Sequence, residues 1–169
     1  PRRFVFLLLD KFTMLAFASA IEPLRIANRV LGETAYTWAL AGEGGAWATC
    51  SNGTAFKLDM GLDEIERDDI LLACGGIDVQ KAATKPVLNW LRREARRGVT
   101  IGGICTGGHA LAKAGLLDGK KIGFVADGPC DFHGPFPSLA AVAPLRTPHV
   151  PPSLEACIVT AIDTVQTVM

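Results

Sequence analysis

Cys105 stands in Gly103-Ile104-Cys105-Thr106-Gly107, between the β-rich run VTIGGI and the helical run GHALAKAG. A nucleophile flanked at two residues on either side by glycine, where a strand turns into a helix, has the form of a nucleophile elbow. The glycines let the chain reverse sharply and neighbouring elements pack close, and they leave the central side chain strained and projecting out of the sheet. A thiol at a helix N-terminus also has its thiolate, the reactive form, favoured by free N–H groups and the helix dipole. The competing reading is an inert structural cysteine, because free cysteines are usually packed inside.

Two more features belong with it. Gly75-Gly76 closes another apolar run and offers backbone N–H groups to an anion, unless it is an ordinary tight turn. Glu22 falls at helical spacing with Leu15, Ala18 and Arg25, which predicts an inward-facing carboxylate able to accept a hydrogen bond from Cys105. Its alternative is a surface glutamate on a helix of imprecise phase. His109, four residues past Cys105, is expected to point along the elbow helix or outward, and His133 lies in a stretch rich in Pro and Gly. A lone histidine of either kind is more often structural or solvated than catalytic. Without a placed base, a cysteine hydrolase loses a proton shuttle worth about 10²–10⁴-fold in rate.

The elements that must position these residues alternate. Arg3 to Leu9 reads as a strand buried on both faces, and Thr13 as the cap of a helix from Met14 to about Leu31, closed by Gly32. Tyr36 to Ala41 is a strand, Gly42 to Gly45 a turn, and Ala46 to Leu58 an irregular hairpin around Asn52-Gly53. Ile70 to Cys74 is another buried strand. Pro86 opens a helix stopped by Gly98, Val99 to Ile104 is a strand, and Thr106 to Ala114 a helix ended by Gly115. Leu117 to Lys120 reads as a turn, Lys121 to Val125 as a strand and Leu154 to Val168 as a closing helix. This order predicts an α/β domain with a mostly parallel sheet covered on both faces, whose ligands bind beyond the carboxyl ends of the strands. Leu9, Gly75-Gly76 and Cys105 all fall there.

Bulk properties narrow the function. The 169 residues suit one domain spanning 1–169, and 17 basic against 17 acidic side chains give no net charge. A chain binding nucleic acid by itself would carry a basic excess. The longest apolar run, Phe4 to Leu9, is too short for a bilayer. Five scattered cysteines without a C-x-x-C pair suggest neither zinc nor a disulfide framework, and a reducing cytoplasm is the expected setting. The cluster Arg92 to Arg97 is expected to be a solvated helix end.

The runs FLLLDKFTMLAFASAIEPLRIANRV (Phe6 to Val30), LLACGGIDV (Leu71 to Val79) and LNWLRREARRGVTIGGICTGGHALAKAGLLDGKK (Leu88 to Lys121) resemble the ThiJ/PfpI superfamily, with a weaker match at TAIDTV (Thr160 to Val165). Within it the chain is similar to the N-terminal sensor domains of GlxA-like AraC-type transcriptional regulators. The resemblance implies a flavodoxin-like three-layer sandwich of the class I glutamine-amidotransferase type, with Cys105 as elbow cysteine and Glu22 as its acidic neighbour. It also places backbone amides of Gly76 and Thr106 toward the pocket, with Gly75 beside them. It further implies a homodimer that needs no cofactor or metal and binds a small effector, often an amino acid, a betaine or a related nitrogen compound. DNA would be bound only through a C-terminal helix-turn-helix module of the full-length protein, not through this chain. One departure matters: such regulators carry a Thr-His-Trp-like run after the position of Lys121, where this chain has Ile122-Gly123-Phe124-Val125-Ala126. That weakens the alternative of a cysteine-dependent hydrolase or hydratase using Cys105 and Glu22. A third reading is a redox sensor in which Cys105 becomes a sulfenic or sulfinic acid.

Overall fold

Four parallel strands form the centre of the molecule: β1 (Arg2–Leu8), β2 (Tyr36–Ala41), β5 (Ile70–Cys74) and β6 (Thr100–Ile104), in the spatial order β2-β1-β5-β6. The computed structural model describes residues 1–118 and, beyond them, the backbone pairing of two short strands, β7 (Ile122–Gly123) and β8 (Ala141–Val142). The sequence readings at Gly128 to Pro152, at the closing helix, and at Cys130, His133 and Cys157 lie outside the described residues.

The strand pattern explains the layering. Side chains alternate across a strand, so Val5, Leu7 and Leu71 enter one core while Phe4, Phe6 and Leu72 enter the other. On the first face lie α3 (Lys85–Arg97), through Leu88 and Leu91, and α4 (Gly107–Lys113), through Ala110 and Leu111. On the second lies α1 (Met14–Leu31), through Phe17. Burying such side chains contributes about 1.5–3 kcal/mol each. All five residues of β5 are buried, as a central strand covered on both faces requires. The hairpin of β3 (Trp47–Thr49) and β4 (Ala55–Lys57) is antiparallel and adds Ala48 and Phe56 to the α1 side.

Local chemistry sets the helix ends. Thr84 caps α3 by accepting from the Val87 N–H at 3.4 Å, and Gly98 ends it in the left-handed region, with Gly32 doing the same for α1. A four-residue helix, α2 (Val79–Ala82), follows Asp78 and has no counterpart in the sequence reading. The Arg92 to Arg97 cluster is tied down rather than merely solvated. Arg92 donates to the Ala114 and Lys113 carbonyls, Arg93 to that of Leu62, and Arg97 to that of Ile65, while Arg93 and Arg97 pair with the buried Glu94.

The expected phase of α1 is corrected. Leu15, Glu22 and Arg25 are exposed, and the stripe that meets the core is Phe17, Ile21 and Leu24, one residue earlier in phase. One residue is about 100° of helix rotation. Aromatic packing fixes it: the Phe17 ring stands edge-on to Phe6 at 5.4 Å, Phe12 at 5.7 Å and Phe56 at 5.8 Å between centroids. Asn28 on the same side bonds both the N–H and the carbonyl of Tyr36, anchoring α1 to β2.

Candidate functional site

The strands end level with one another. Leu8 pairs with Cys74 and Cys74 with Ile104, so the segments after β1, β5 and β6 emerge side by side. After β1 the chain runs through Asp10 to Thr13. After β5 it passes Gly75-Gly76, and after β6 it turns at Cys105 into α4.

Cys105 is exposed and has φ 54°, a left-handed conformation that costs a non-glycine residue strain. Its Sγ lies 3.8 Å from the Thr13 hydroxyl, at the start of α1. The Thr106 hydroxyl donates to the Gly76 carbonyl at 2.8 Å, the Thr13 N–H to that of Gly75 at 3.0 Å, and the Gly75 N–H to that of Ile104 at 3.2 Å. The turn is thus tied to both of its neighbours. Glycine is required at two contacts here. A Cβ on Gly76 would stand 2.1 Å from the Lys11 carbonyl oxygen, and one on Gly107 would stand 1.8 Å from that of Ala73. Neither position has room for a side chain.

The other thiols behave differently. Cys74, one residue before the glycine pair, is fully buried, and burial first and the nearby Cys105 second push its thiol far up. Cys50 is also buried, against Asn52 Oδ1. Of the three described cysteines, only Cys105 is open to reagents.

Glu22 does not meet Cys105. With α1 turned outward at this position, its carboxylate accepts from the Arg25 guanidinium at 2.8 Å, and that hydrogen bond holds its carboxyl below the usual range. Both side chains are half exposed. His109 is half-buried on α4, where burial and then Lys113 lower its pKa. The strand-end segments therefore bring together Cys105, Thr106, Gly75 and Gly76, and leave Glu22 on the far side of its helix. Thr13, read from sequence only as a helix cap, is the side chain that faces the thiol, and it makes no side-chain capping bond.

Residues 2–126 match the DJ-1/PfpI family. The chain belongs to that family. As a DJ-1/PfpI protein it is 41% identical over 119 residues to the HTH-type transcriptional regulator GbdR of Pseudomonas aeruginosa, covering 70% of this chain and 32% of the relative. To the HTH-type transcriptional regulator GlxA of Rhizobium meliloti it is 36% identical over 126 residues, covering 72% of this chain and 38% of the relative. The chain thus spans about a third of the length of these curated relatives. Among solved structures, an AraC family transcriptional regulator from Pseudomonas putida superposes with a TM-score of 0.71 at 21% identity, over 99% of this chain and 92% of that one. That likeness bears on the fold, and it agrees with the flavodoxin-like parallel sheet of the DJ-1/PfpI domain. Among the described residues no helix is long and apolar enough to cross a membrane.

Proposed function

We propose that this chain is the ligand-sensing domain of an AraC-type transcriptional regulator, binding a small nitrogenous metabolite at the strand ends beside Cys105. In this reading Gly75, Gly76, Cys105 and Thr106 border the effector. Glu22, bonded to Arg25, contributes only if the helix turns or its rotamer changes. The domain acts as a homodimer in the cytoplasm, and DNA is bound by a helix-turn-helix module elsewhere in the full-length protein.

The observation that carries this reading is the 41% identity to an HTH-type regulator over 119 residues, 70% of this chain. The geometry supports it. The exposed thiol faces a hydroxyl, Thr13, rather than the Glu22 carboxylate that a hydrolase or hydratase would use as base. Thermal-shift screening with amino acids, betaines and polyamines is the test. A ligand that raises the melting temperature of the wild type, and less so that of Cys105→Ala, supports the assignment. Equal shifts in both proteins for every ligand would remove Cys105 from the effector site.

A further inference from the structure

A recess opens on the Asp10-Lys11 side of the strand ends. It is a cleft of about 390 Å³, bordered by the Asp10-Lys11 segment, the turn before β3 and the start of α2, and neither Cys105 nor the glycine pair lines it. That volume accommodates a small molecule. Lys11 lines the cleft, and Thr13, two residues on, faces the thiol.

The lining has a definite chemistry. Its floor is apolar, from the buried Leu9, Leu58 and Val87. Trp47 stands at it with 63% of its surface exposed, a large aromatic left open to solvent. The two cations at the rim already have a counter-ion: Lys11 Nζ lies 2.9 Å from Asp78 Oδ2 and Lys81 Nζ lies 4.0 Å from Asp78 Oδ1. Two carboxylates remain. Glu43 accepts a hydrogen bond from the neutral hydroxyl of Thr84 at 2.7 Å, and neither it nor Asp10 forms an ion pair with a cationic side chain among the described residues. With three carboxylates against two ammonium groups, the rim is net negative. An aromatic face, an apolar floor and an excess of carboxylates over ammonium groups together suit a cation whose charge sits on a greasy body.

We infer that this cleft binds a small alkylammonium group, held against Trp47 and neutralised by Glu43 and Asp10. The inference goes beyond the sensor reading and does not need Cys105. Both ends of the Lys11–Asp78 bridge are non-glycine residues with positive φ, 58° and 57°. Backbone bonds fix this wall of the cleft: the Lys11 N–H donates to the Thr49 carbonyl at 2.8 Å, and the Ile77 N–H to the Lys11 carbonyl at 3.2 Å.

Calorimetric titration of the protein with butylammonium chloride and with tetramethylammonium chloride tests the site, with 1-butanol and butyrate as neutral and anionic comparators at matched ionic strength. At least one cation is expected to bind saturably, at least tenfold tighter than 1-butanol, and butyrate not at all. Trp47→Ala and Glu43→Gln are each expected to weaken the cation at least fivefold, and Cys105→Ala to leave it unchanged. Circular dichroism melts of the two cleft variants establish that they are folded. Should Trp47 fail to retain its fold on truncation, Glu43→Gln alone decides. No saturable binding of either cation, or equal affinity for 1-butanol, would overturn the assignment. Binding lost in Cys105→Ala but kept in the cleft variants would overturn it too, while leaving the sensor reading of the elbow intact.

Discussion

The Thr106 hydroxyl donates to the Gly76 carbonyl at 2.8 Å, so the turn carrying the exposed thiol is tied to the end of the adjacent strand by a side chain. The bond spans two loops that are 30 residues apart in the chain. Its energetic share is modest, and it is one of the contacts that fix the turn carrying Cys105 against the adjacent strand end.

Thr106→Val keeps the shape and deletes the donor, leaving the Gly76 carbonyl without it. The expected loss is about 1–3 kcal/mol in chemical denaturation. Thr106→Ser, which restores the hydroxyl, is expected to recover most of it. Equal stability of wild type and Thr106→Val would show that water replaces the bond without cost.

The glycines of the elbow differ sharply in what they tolerate. Gly107→Ala forces a methyl group toward the Ala73 carbonyl at 1.8 Å, and is expected to destabilise by at least about 3 kcal/mol or to prevent folding. Gly108→Ala, one residue on in the same helix, meets nothing within 4 Å and is expected to be neutral or to stabilise by up to about 1 kcal/mol. Melting temperatures of the two variants, measured side by side, check the contrast.

Alkylation should discriminate among the described thiols. Iodoacetamide is expected to modify Cys105 in the native protein and to spare Cys50 and Cys74 until denaturant is added, as read by peptide mass mapping. The Glu22→Gln variant is expected to label at the wild-type rate across the pH range, because its carboxylate bonds Arg25 and not the thiol. A shift in the pH profile of Cys105 labelling on that substitution would restore Glu22 to the site.

Cys74 makes stability depend on alkaline pH. Its folded thiol is pushed far above the ordinary 9.0, so below pH 9.0 both folded and unfolded chains keep the proton. Above that, the unfolded thiol ionises and the folded one does not. Unfolding then releases a proton, and this residue's contribution to stability falls as pH rises, by at most about 1.4 kcal/mol per pH unit. Cys74→Ala is expected to show a shallower decline than the wild type above pH 9.0, whatever its stability at neutral pH. Parallel declines would mean that the buried thiol ionises freely in the folded state.

The strands and their order of use could be read from the chain because each is a short apolar run closed by glycine or a charged turn. The elbow could be read because a sharp strand-to-helix reversal leaves a local signature. The rotation of α1 could not. Met14 to Ile21 is apolar or small at every position, so its periodicity carries little phase information, and the orientation is chosen by the rings of Phe6, Phe12 and Phe56 closing on Phe17, contacts that exist only once β1, the loop after it and the hairpin have come together. The pairing of Glu22 with Cys105 depended on that phase and failed with it. Helix α2 escaped notice for another reason: four residues offer too few turns for a periodic pattern.

The common height at which β1, β5 and β6 stop has a mechanical result. The segments leaving them lead to α1 on one face of the sheet and to α2 and α4 by way of the other. A molecule no larger than an amino acid, resting across that edge, would press on the first turns of helices from both layers at once.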